Sequence, residues 1–156
     1  MSVQIRRATP RDIEEILPVW GELAIYHADL DATFTPSAEW PHEYGAYLRT
    51  LMNRDDALAV IARDGTHLVG YAVGRITSLP SFFESRQRGY IHDVYVRERY
   101  RQRGIGRRLV DEILSWFRRR GVTLVELTVA ANNDDATAFW RSLGFETYMH
   151  QMKRVL

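Results

Sequence analysis

A short segment rich in glycine and arginine carries the clearest chemical signal in this sequence. It is Arg101-Gln102-Arg103-Gly104-Ile105-Gly106, between a strand-like segment that ends at Val96 and a helix expected from Gly104 to Arg120. The first backbone amides of a helix lack partners within it and lie at the positive end of its dipole, so such a turn binds phosphate. Glycine leaves the backbone accessible, and the arginines add positive charge. The segment therefore predicts a site for an anionic small ligand.

The same segment lacks the marks of two other phosphate-binding loops. A dinucleotide fold needs a third glycine and a downstream acid, and a nucleoside-triphosphate loop needs Gly-Lys followed by Ser or Thr. A basic helix could also bind nucleic acid. However, the arginines cluster at the helix start and again at Arg118–Arg120, without the interleaved aromatic residues of a nucleic-acid surface. We therefore predict no nucleic-acid partner.

The two parts of the chain differ in charge. Residues 1–64 carry 11 acidic and 6 basic side chains, a balance of −5, whereas residues 65–156 carry 9 acidic and 15 basic ones, a balance of +6. This asymmetry fits one site that binds a cationic and an anionic ligand at its two ends. It equally fits two solvated faces whose charges differ by chance.

Length and composition limit the classes of protein to consider. A chain of 156 residues, 46% of them apolar, has the size and core material of one domain, so we expect a single domain over residues 1–156. The absence of cysteine excludes disulfides, thiolate nucleophiles and most structural zinc sites, and we predict no bound metal. Neither a membrane-spanning run nor a signal-peptide core is present. The expectation is a cytoplasmic protein that does not bind membranes.

The apolar pattern predicts the order β-α-α-β-β-β-α-β-α-β. The resulting fold class is α/β, with a mixed central sheet flanked by helices. A first helix follows Thr9-Pro10-Arg11-Asp12, with Pro18 expected to kink or interrupt it, and Ser37 is expected to cap the second helix. The predicted strands are 3–7, 57–62, 67–76, 89–96, 122–129 and 145–156, and the later helices are 104–120 and 133–143.

Two segments together resemble a known family. The Arg/Gln-x-x-Gly-x-Gly/Ala pattern at Arg101–Gly106 resembles the pyrophosphate loop of the GNAT superfamily of N-acetyltransferases. The segment from Asn133 to Phe145 resembles that superfamily's Asn-x-x-Ala … Leu-Gly-Phe helix. The predicted element order is that of the same fold over essentially the whole chain. The segment Tyr90–Val96 is similar to that of the diamine and polyamine acetyltransferase branch.

The resemblance implies acetyl-CoA as a co-substrate. Backbone groups of the strand before the loop would run beside the pantetheine arm and polarise the thioester carbonyl, and the loop amides would hold the pyrophosphate. Asn133 would hydrogen-bond the pantetheine chain, with Ala136 giving room beside it, although Asn133 is equally placed to cap a helix. Val94 and Val96 are equally expected in the core. The residues predicted for acetyl-CoA are Val94, Tyr95, Val96, Arg101, Gln102, Arg103, Gly104, Ile105, Gly106, Arg107, Asn133 and Ala136.

Acetyl transfer to an amine needs a base, because an ammonium has no lone pair with which to attack. The resemblance places a glutamate at the position of His92, and a histidine has a suitable pKa for the same task. A core histidine bonded to a carbonyl is the competing interpretation. Strict strand alternation places Asp93 on the opposite face, as a structural residue or a partner for an arginine.

The sequence departs from the family at Trp140, where many members have a tyrosine that protonates the coenzyme thiolate. Indole has no such acid chemistry. Water, Tyr148 or Tyr95 could replace the missing phenol, or the step could proceed without an acid because a thiolate leaves readily.

The resemblance places the acceptor site at the first two helices and their loop, with Tyr26, His27 and Asp31 as candidate residues. Asp29, Phe34, Trp40 and Tyr44 are further candidates, although aromatic residues there are more often found in the core than in a pocket. The main hypothesis is transfer of acetyl from acetyl-CoA to a primary amine of a small cationic molecule, by direct attack, in a homodimer. The alternatives are a protein or peptide N-terminal acetyltransferase and a catalytically weak CoA-binding module.

Overall fold

The structure is a computed structural model that describes residues 2–156. Its strands are β1 (Gln4–Arg7), β2 (Ala57–Asp64), β3 (His67–Ser78), β4 (Gln87–Val96) and β5 (Val125–Glu126). Its helices are α1 (Ile13–Leu30), α2 (Trp40–Met52), α3 (Ile105–Arg119) and α4 (Asp134–Ser142). Single 3-10 turns lie at Pro10–Asp12, Ala32–Phe34 and Glu98–Tyr100.

The five strands form one sheet in the order β1-β2-β3-β4-β5. The first four pair antiparallel, and β5 pairs parallel with β4, so the sheet is mixed as predicted. One core cluster joins the sheet to α3, and a second joins its other face to α1 and α2. The predicted α/β class with a mixed sheet flanked by helices is confirmed.

Strand β2, which lies between β1 and β3, is buried on both faces, and this explains its continuous apolar sequence. Residues 57–62 are all buried, as expected where helices cover both sides of a sheet. A tight turn at Gly65, with φ of +57°, leads into β3. This predicted hairpin is therefore confirmed.

The start of α1 is fixed by the carboxylate of Asp12. That side chain is buried, accepts a hydrogen bond from the Thr9 amide at 2.8 Å, and forms an ion pair with Arg6 at 2.7 Å. Its partner Arg6 is the largest cause that lowers the pKa of Asp12 to about 2. The helix then continues through Pro18, so the predicted interruption is not formed. A proline removes one amide donor, and the buried face around it keeps the helix packed.

A predicted helix cap and a predicted strand are wrong. The cap of α2 is not Ser37, because the helix begins three residues later and the Ser37 hydroxyl donates to Glu43 at 2.6 Å. The predicted sixth strand is absent, since residues 145–156 contain no strand. Met152 on this segment is 91% exposed, so little burial opposes the entropy of ordering it as a strand.

Between residues 2 and 156, no helix has both the length and the apolar character that crossing a membrane requires.

Candidate active site

The loop before α3 has the backbone geometry of an anion site. Gln102 and Gly104 have positive φ angles of +61° and +74°, which turns successive amides toward one side. Arg108 is the first residue of this helix start whose amide bonds a carbonyl, that of Gly104 at 3.1 Å. Among residues 2–156, no acceptor takes a hydrogen bond from the amides of 102–107. The predicted loop therefore presents consecutive free donors at the positive end of the helix dipole.

The arginine side chains of this loop contact neighbouring backbone carbonyls and an aromatic ring. Arg101 Nε donates to the carbonyl of Val96 at 2.9 Å, and Arg107 donates to the Ser142 carbonyl at 3.3 Å. The guanidinium carbon of Arg103 lies 5.4 Å from the centroid of the Tyr100 ring. The side chain of Ile105 is buried in the core, so only its amide faces a ligand. The groups of this loop that have no partner among residues 2–156 are therefore mainly those of its backbone.

Gly106 lies where α3 and α4 approach each other. A Cβ atom there would lie 3.3 Å from Cζ of Phe139 and 3.8 Å from Val96 Cγ2. The contact with Phe139 would be tighter than most side chains make, so packing as well as access to the loop amides explains this glycine.

The end of β4 leaves a slot in the sheet. The strand β5 pairs with β4 only at Gly89 and Tyr90, so the two strands separate beyond that point. The backbone of Val94, Tyr95 and Val96 consequently lacks a strand partner on its β5 side. This is the stretch predicted to run beside the pantetheine arm, and its free amides and carbonyls could bind an extended ligand.

The side chains of this stretch point in alternate directions. Val94 and Val96 pack into the α3-side core, while Tyr95 packs against the α1 and α2 side, with the Arg101 guanidinium carbon 5.2 Å from its ring centroid. Burial raises the pKa of Tyr95. The valines are core residues, as one interpretation predicted, and only their backbone remains for a ligand.

Asn133 lies at the junction between the slot and α1. It is buried, its Oδ1 caps α4 by accepting from the Ala136 amide at 3.1 Å, and the same oxygen accepts from the Tyr26 hydroxyl at 3.1 Å. Both acceptor positions of Oδ1 are thus used, and the side-chain amide nitrogen has no acceptor among residues 2–156. The predicted helix cap is confirmed, and the free nitrogen could donate to a ligand at the same time.

A β-bulge in β4 positions His92. Val73 of β3 pairs with Asp93, and the next residue of β3, Gly74, pairs with Ile91, so His92 is the extra residue. Its ring lies 4.8 Å from that of Tyr90. The prediction that His92 and Asp93 lie on opposite faces assumed strict alternation along β4. The bulge interrupts this alternation, so it cannot by itself place the two side chains.

Asp93 lies on the α1 and α2 side of the sheet. Its Oδ2 accepts a hydrogen bond of 2.6 Å from the hydroxyl of Tyr44, which is itself 3.5 Å from the hydroxyl of Tyr71. Burial raises the pKa of Asp93, and the hydrogen bonds from these tyrosines oppose that rise. The partner of Asp93 is therefore a tyrosine of α2 and not an arginine, which corrects one of the predicted roles.

The pKa of His92 is lowered from its ordinary value. Partial burial is the largest cause that lowers its pKa, and the positive charge of Arg75 is the second. A lowered pKa keeps the imidazole neutral at neutral pH, which is the form that accepts a proton. Sequence reasoning did not identify Arg75, because only the strand pairing brings it close to His92.

The predicted acceptor residues are only partly available. The carboxylate of Asp31 caps the turn at Ala32–Phe34, accepting from the Thr33 amide at 2.9 Å, and forms an ion pair with Lys153. The Lys153 contact is the largest cause that lowers the pKa of Asp31 below its usual range. His27 is half-buried beside Phe34, and burial lowers its pKa. Asp31 thus has structural partners, whereas the Tyr26 hydroxyl donates a hydrogen bond to Asn133.

An aromatic cavity of about 330 Å³ lies between the first two helices. Trp20 stacks on Tyr44, with ring centroids 4.4 Å apart, and lies 4.8 Å from Trp40. The Tyr44 side chain connects this cavity to Asp93. The cavity is lined by Trp20, Pro36, Ser37, Trp40, Glu43, Tyr44 and Tyr47.

Trp140 is a packing residue. Its ring meets those of Phe139 and Phe145 edge to face, with centroids 5.0 and 5.2 Å away. The two phenols named as replacements for the missing acid have other partners: Tyr148 donates to Glu126 at 2.7 Å, and Tyr95 packs beside Arg101. The hydroxyl bonded to Asn133 is that of Tyr26.

Comparisons with known proteins agree with this geometry. The model of the Acetyltransferase (GNAT) family matches residues 23–145. The N-alpha-acetyltransferase RimI of Mycobacterium tuberculosis is 39% identical over 121 residues, which are 76% of this chain and 70% of that protein. An uncharacterized N-acetyltransferase of Methanocaldococcus jannaschii is 28% identical over 91% of this chain, and the match spans only 60% of its own length.

Solved structures extend the likeness to the whole fold. The BH1408 protein of Bacillus halodurans, in a mutant form, superposes with a TM-score of 0.88 at 27% identity, covering 98% of this chain and 99% of that one. A predicted acetyltransferase of Clostridium acetobutylicum, solved with acetyl-CoA, gives a TM-score of 0.82 at 16% identity, covering 99% and 96%.

The family match, the sheet that opens beside β4 and the free amides before α3 agree, and the predicted enzyme class is confirmed at the level of the family. The chain belongs to the GNAT family of acetyltransferases.

Proposed function

We propose that this protein transfers an acetyl group from acetyl-CoA to a primary amine of a small cationic molecule. The observation that carries the donor half is the run of free amides over residues 102–107 at the start of α3. These amides fit a pyrophosphate, since a helix N-terminus and a left-handed turn both favour phosphate oxygens. Asn133 would hold the pantetheine chain through its free amide nitrogen.

The acceptor half rests on His92. An amine must be neutral to attack the thioester, and a neutral imidazole can take its proton. Asp93 is less suited to this task, because its carboxylate is engaged by Tyr44 and burial raises its pKa toward the protonated form. His92 is therefore the proposed base, with attack directly on the thioester and without a covalent enzyme intermediate.

The departing thiolate needs no dedicated acid in this proposal. A thiol pKa near 8.5 makes the thiolate a tolerable leaving group at neutral pH. Trp140 is partly buried and packs against the core beside Phe139 and Phe145, so the residue at the position of the family's tyrosine has a packing role here. Water can supply the proton.

The cationic nature of the acceptor is supported by the charge of residues 1–64, which balance at −5, and by Glu43 at the aromatic cavity. Aromatic faces and a carboxylate together attract ammonium groups. Diamines and polyamines, which the resemblance of Tyr90–Val96 implies as acceptors, are amines of this kind.

The test is release of free thiol from acetyl-CoA with a panel of polyamines, amino acids, aminoglycosides and peptides. We expect turnover with at least one small amine and little with peptides. Thiol release that never exceeds the rate of the protein-free control, with every acceptor, would contradict the proposal.

A second candidate is acetylation of peptide or protein N-termini, which the 39% identity to RimI favours. Faster turnover of a peptide with a free N-terminus than of any small amine would support it. Tight acetyl-CoA binding with no turnover would instead support a CoA-binding module, the alternative prompted by Trp140.

The predicted homodimer and cytoplasmic location rest on the family resemblance and on the lack of cysteine. Sedimentation velocity at two protein concentrations tests the dimer.

A further inference from the structure

The side chain of Arg75, on the proposed acceptor side, has no hydrogen-bond or ion-pair partner among residues 2–156. Arg75 of β3 pairs directly with Tyr90 of β4, so the two side chains share one face of the sheet. A Cβ atom on the neighbouring Gly74 would meet Ile113 and Phe117 of α3, so residue 74 faces α3. Arg75 consequently faces the α1 and α2 side, where the Tyr90 ring lies 4.8 Å from that of His92.

The lack of a partner distinguishes Arg75 from the other arginines with a buried Nε. Arg75, Arg88 and Arg97 each have an Nε that is buried without a hydrogen bond among residues 2–156. Arg88 and Arg97 nevertheless have a glutamate carboxylate 3.3 Å from that atom. For Arg75, no ion pair occurs within the described chain. The Arg75 side chain is half-buried, and its buried Nε has no acceptor, so an anionic ligand there would satisfy this donor and gain from the charge.

The carboxylates in its neighbourhood are already engaged. Asp56 accepts two hydrogen bonds of 2.6 Å from Arg54, and Asp93 accepts the hydroxyl of Tyr44. The charge of Arg75 nevertheless acts on Asp56, on Tyr47 and on His92, which places it among the groups of the acceptor side. The arrangement combines one unpartnered cation with the proposed base.

We propose that Arg75 binds a carboxylate of the acceptor, so that the acceptor is an amino acid and not a simple amine. This inference rests on the proposed function and narrows its substrate class. A planar guanidinium binds a carboxylate through two parallel hydrogen bonds, while the amine of the same molecule lies toward His92. A basic amino acid satisfies both this requirement and the cationic character of the acceptor.

Pairs of acceptors that differ only in the carboxylate test this directly: lysine against cadaverine, ornithine against putrescine, and arginine against agmatine. We expect the wild-type kcat/KM to favour the amino acid of a pair by about tenfold to a hundredfold, as charge-assisted hydrogen bonds provide. In Arg75→Gln this ratio falls to about one, and Arg75→Lys retains part of it. Both acceptors of a pair use the same proposed base. Any change that Arg75→Gln causes in the pKa of His92 therefore affects both kcat/KM values alike and cancels in their ratio.

Arg88→Gln is the matched control, since it removes an arginine of equal charge from the partner strand β4 but one that has its own glutamate. Its ratio should stay within about twofold of wild type. A wild-type preference for the decarboxylated amine, or a ratio that Arg75→Gln leaves unchanged, overturns the inference while the proposed function stands.

A binding measurement separates failure of the proposed function from failure of the inference about Arg75. Calorimetric titration of lysine and of cadaverine in the presence of desulfo-CoA needs no turnover, and wild type should bind lysine more tightly in a manner lost in Arg75→Gln. If no amine is acetylated, the proposed function fails, and this titration still decides the role of Arg75. Equal binding of both probes to wild type would overturn it.

Discussion

The proposed donor half and the proposed acceptor half of this site are built from different groups. The donor half consists mainly of backbone: consecutive amides of the loop before α3, the open edge of β4 and one buried asparagine cap. The acceptor half consists of side chains on three elements, with Tyr44 on α2, Arg75 on β3, and His92 and Asp93 on β4. A ligand that all members of a family share can be held by a fixed backbone, whereas side chains can differ from one acceptor to another.

The difference also shows in electrostatics. The loop amides present partial charges that do not titrate, so the donor half is expected to bind over a wide pH range. The acceptor half holds groups with displaced pKa values: His92 lowered, Asp93 raised and Tyr44 raised, with burial the largest cause in each case. Substitutions in the two halves should therefore separate binding of acetyl-CoA from turnover and its pH dependence.

The largest effect is expected at the proposed base. His92→Gln should lower kcat/KM for the amine by about a hundredfold or more, because general base catalysis contributes that much, while the affinity for acetyl-CoA stays near wild type. Steady-state kinetics and calorimetry measure the two quantities. His67→Gln, an exposed histidine at the start of β3, is the control. An unchanged rate in His92→Gln would remove His92 from the mechanism.

The next effect is on acetyl-CoA binding. Gly104→Ala should weaken affinity by about tenfold, because a left-handed φ costs a residue with a Cβ about 1–2 kcal/mol and distorts the amide loop. Gly121→Ala is a matched control at the other end of α3: its φ is +76° against +74°, and a Cβ has open space at both sites. Both variants should lose similar stability in thermal unfolding. Equal loss of affinity in both would show that the loop geometry is not what binds the cofactor.

The third prediction concerns pH. The base works when deprotonated, so activity falls as pH drops through the pKa of His92, and the lowered pKa places this fall at lower pH than an ordinary histidine would. Removing the charge of Arg75 raises that pKa, so the acid limb of kcat/KM should move to higher pH in Arg75→Gln. Cadaverine is the acceptor to use, because it has no carboxylate for Arg75 to bind. A limb that stays in place or moves to lower pH contradicts the coupling.

The smallest effect on rate is expected at Trp140. Trp140→Phe should lower the free energy of unfolding by about 1–2 kcal/mol, since it removes part of a ring packed between Phe139 and Phe145. Its kcat should remain within about twofold of wild type. Chemical denaturation and steady-state kinetics measure these values. A tenfold fall in kcat without loss of stability would instead assign the indole a part in the reaction.

Much of the donor half could be predicted from the sequence, because its groups are close together along the chain. Glycines at 104 and 106, the helix that follows them and the cap at Asn133 are all local features, and short-range rules govern turns and caps. The positive φ of Gln102 could not be foreseen, since an ordinary side chain there gives no signal of a left-handed backbone.

The acceptor half was predicted less well for two physical reasons. A bulge adds one residue to β4, and a single added residue changes which face the following side chains take, so Asp93 could not be placed by alternation. The contacts of Asp93 with Tyr44, and of Asp31 with Lys153, join residues that are 49 and 122 positions apart. Such contacts depend on packing and not on local propensity.

The sequence alone determined the α/β class, the single glycine-containing loop before a helix and the family resemblance that two spaced motifs carry. Only the tertiary structure decided that Trp140 packs against the core and that residues 145–156 add no strand. It also decided that the charge of Arg75 acts on His92 and that Arg75 has no anionic partner among residues 2–156. Local backbone preferences act over a few residues and leave their marks in the sequence. The pairing of strands and the packing of helices set which distant side chains meet, and that pairing is what places an arginine next to the proposed base.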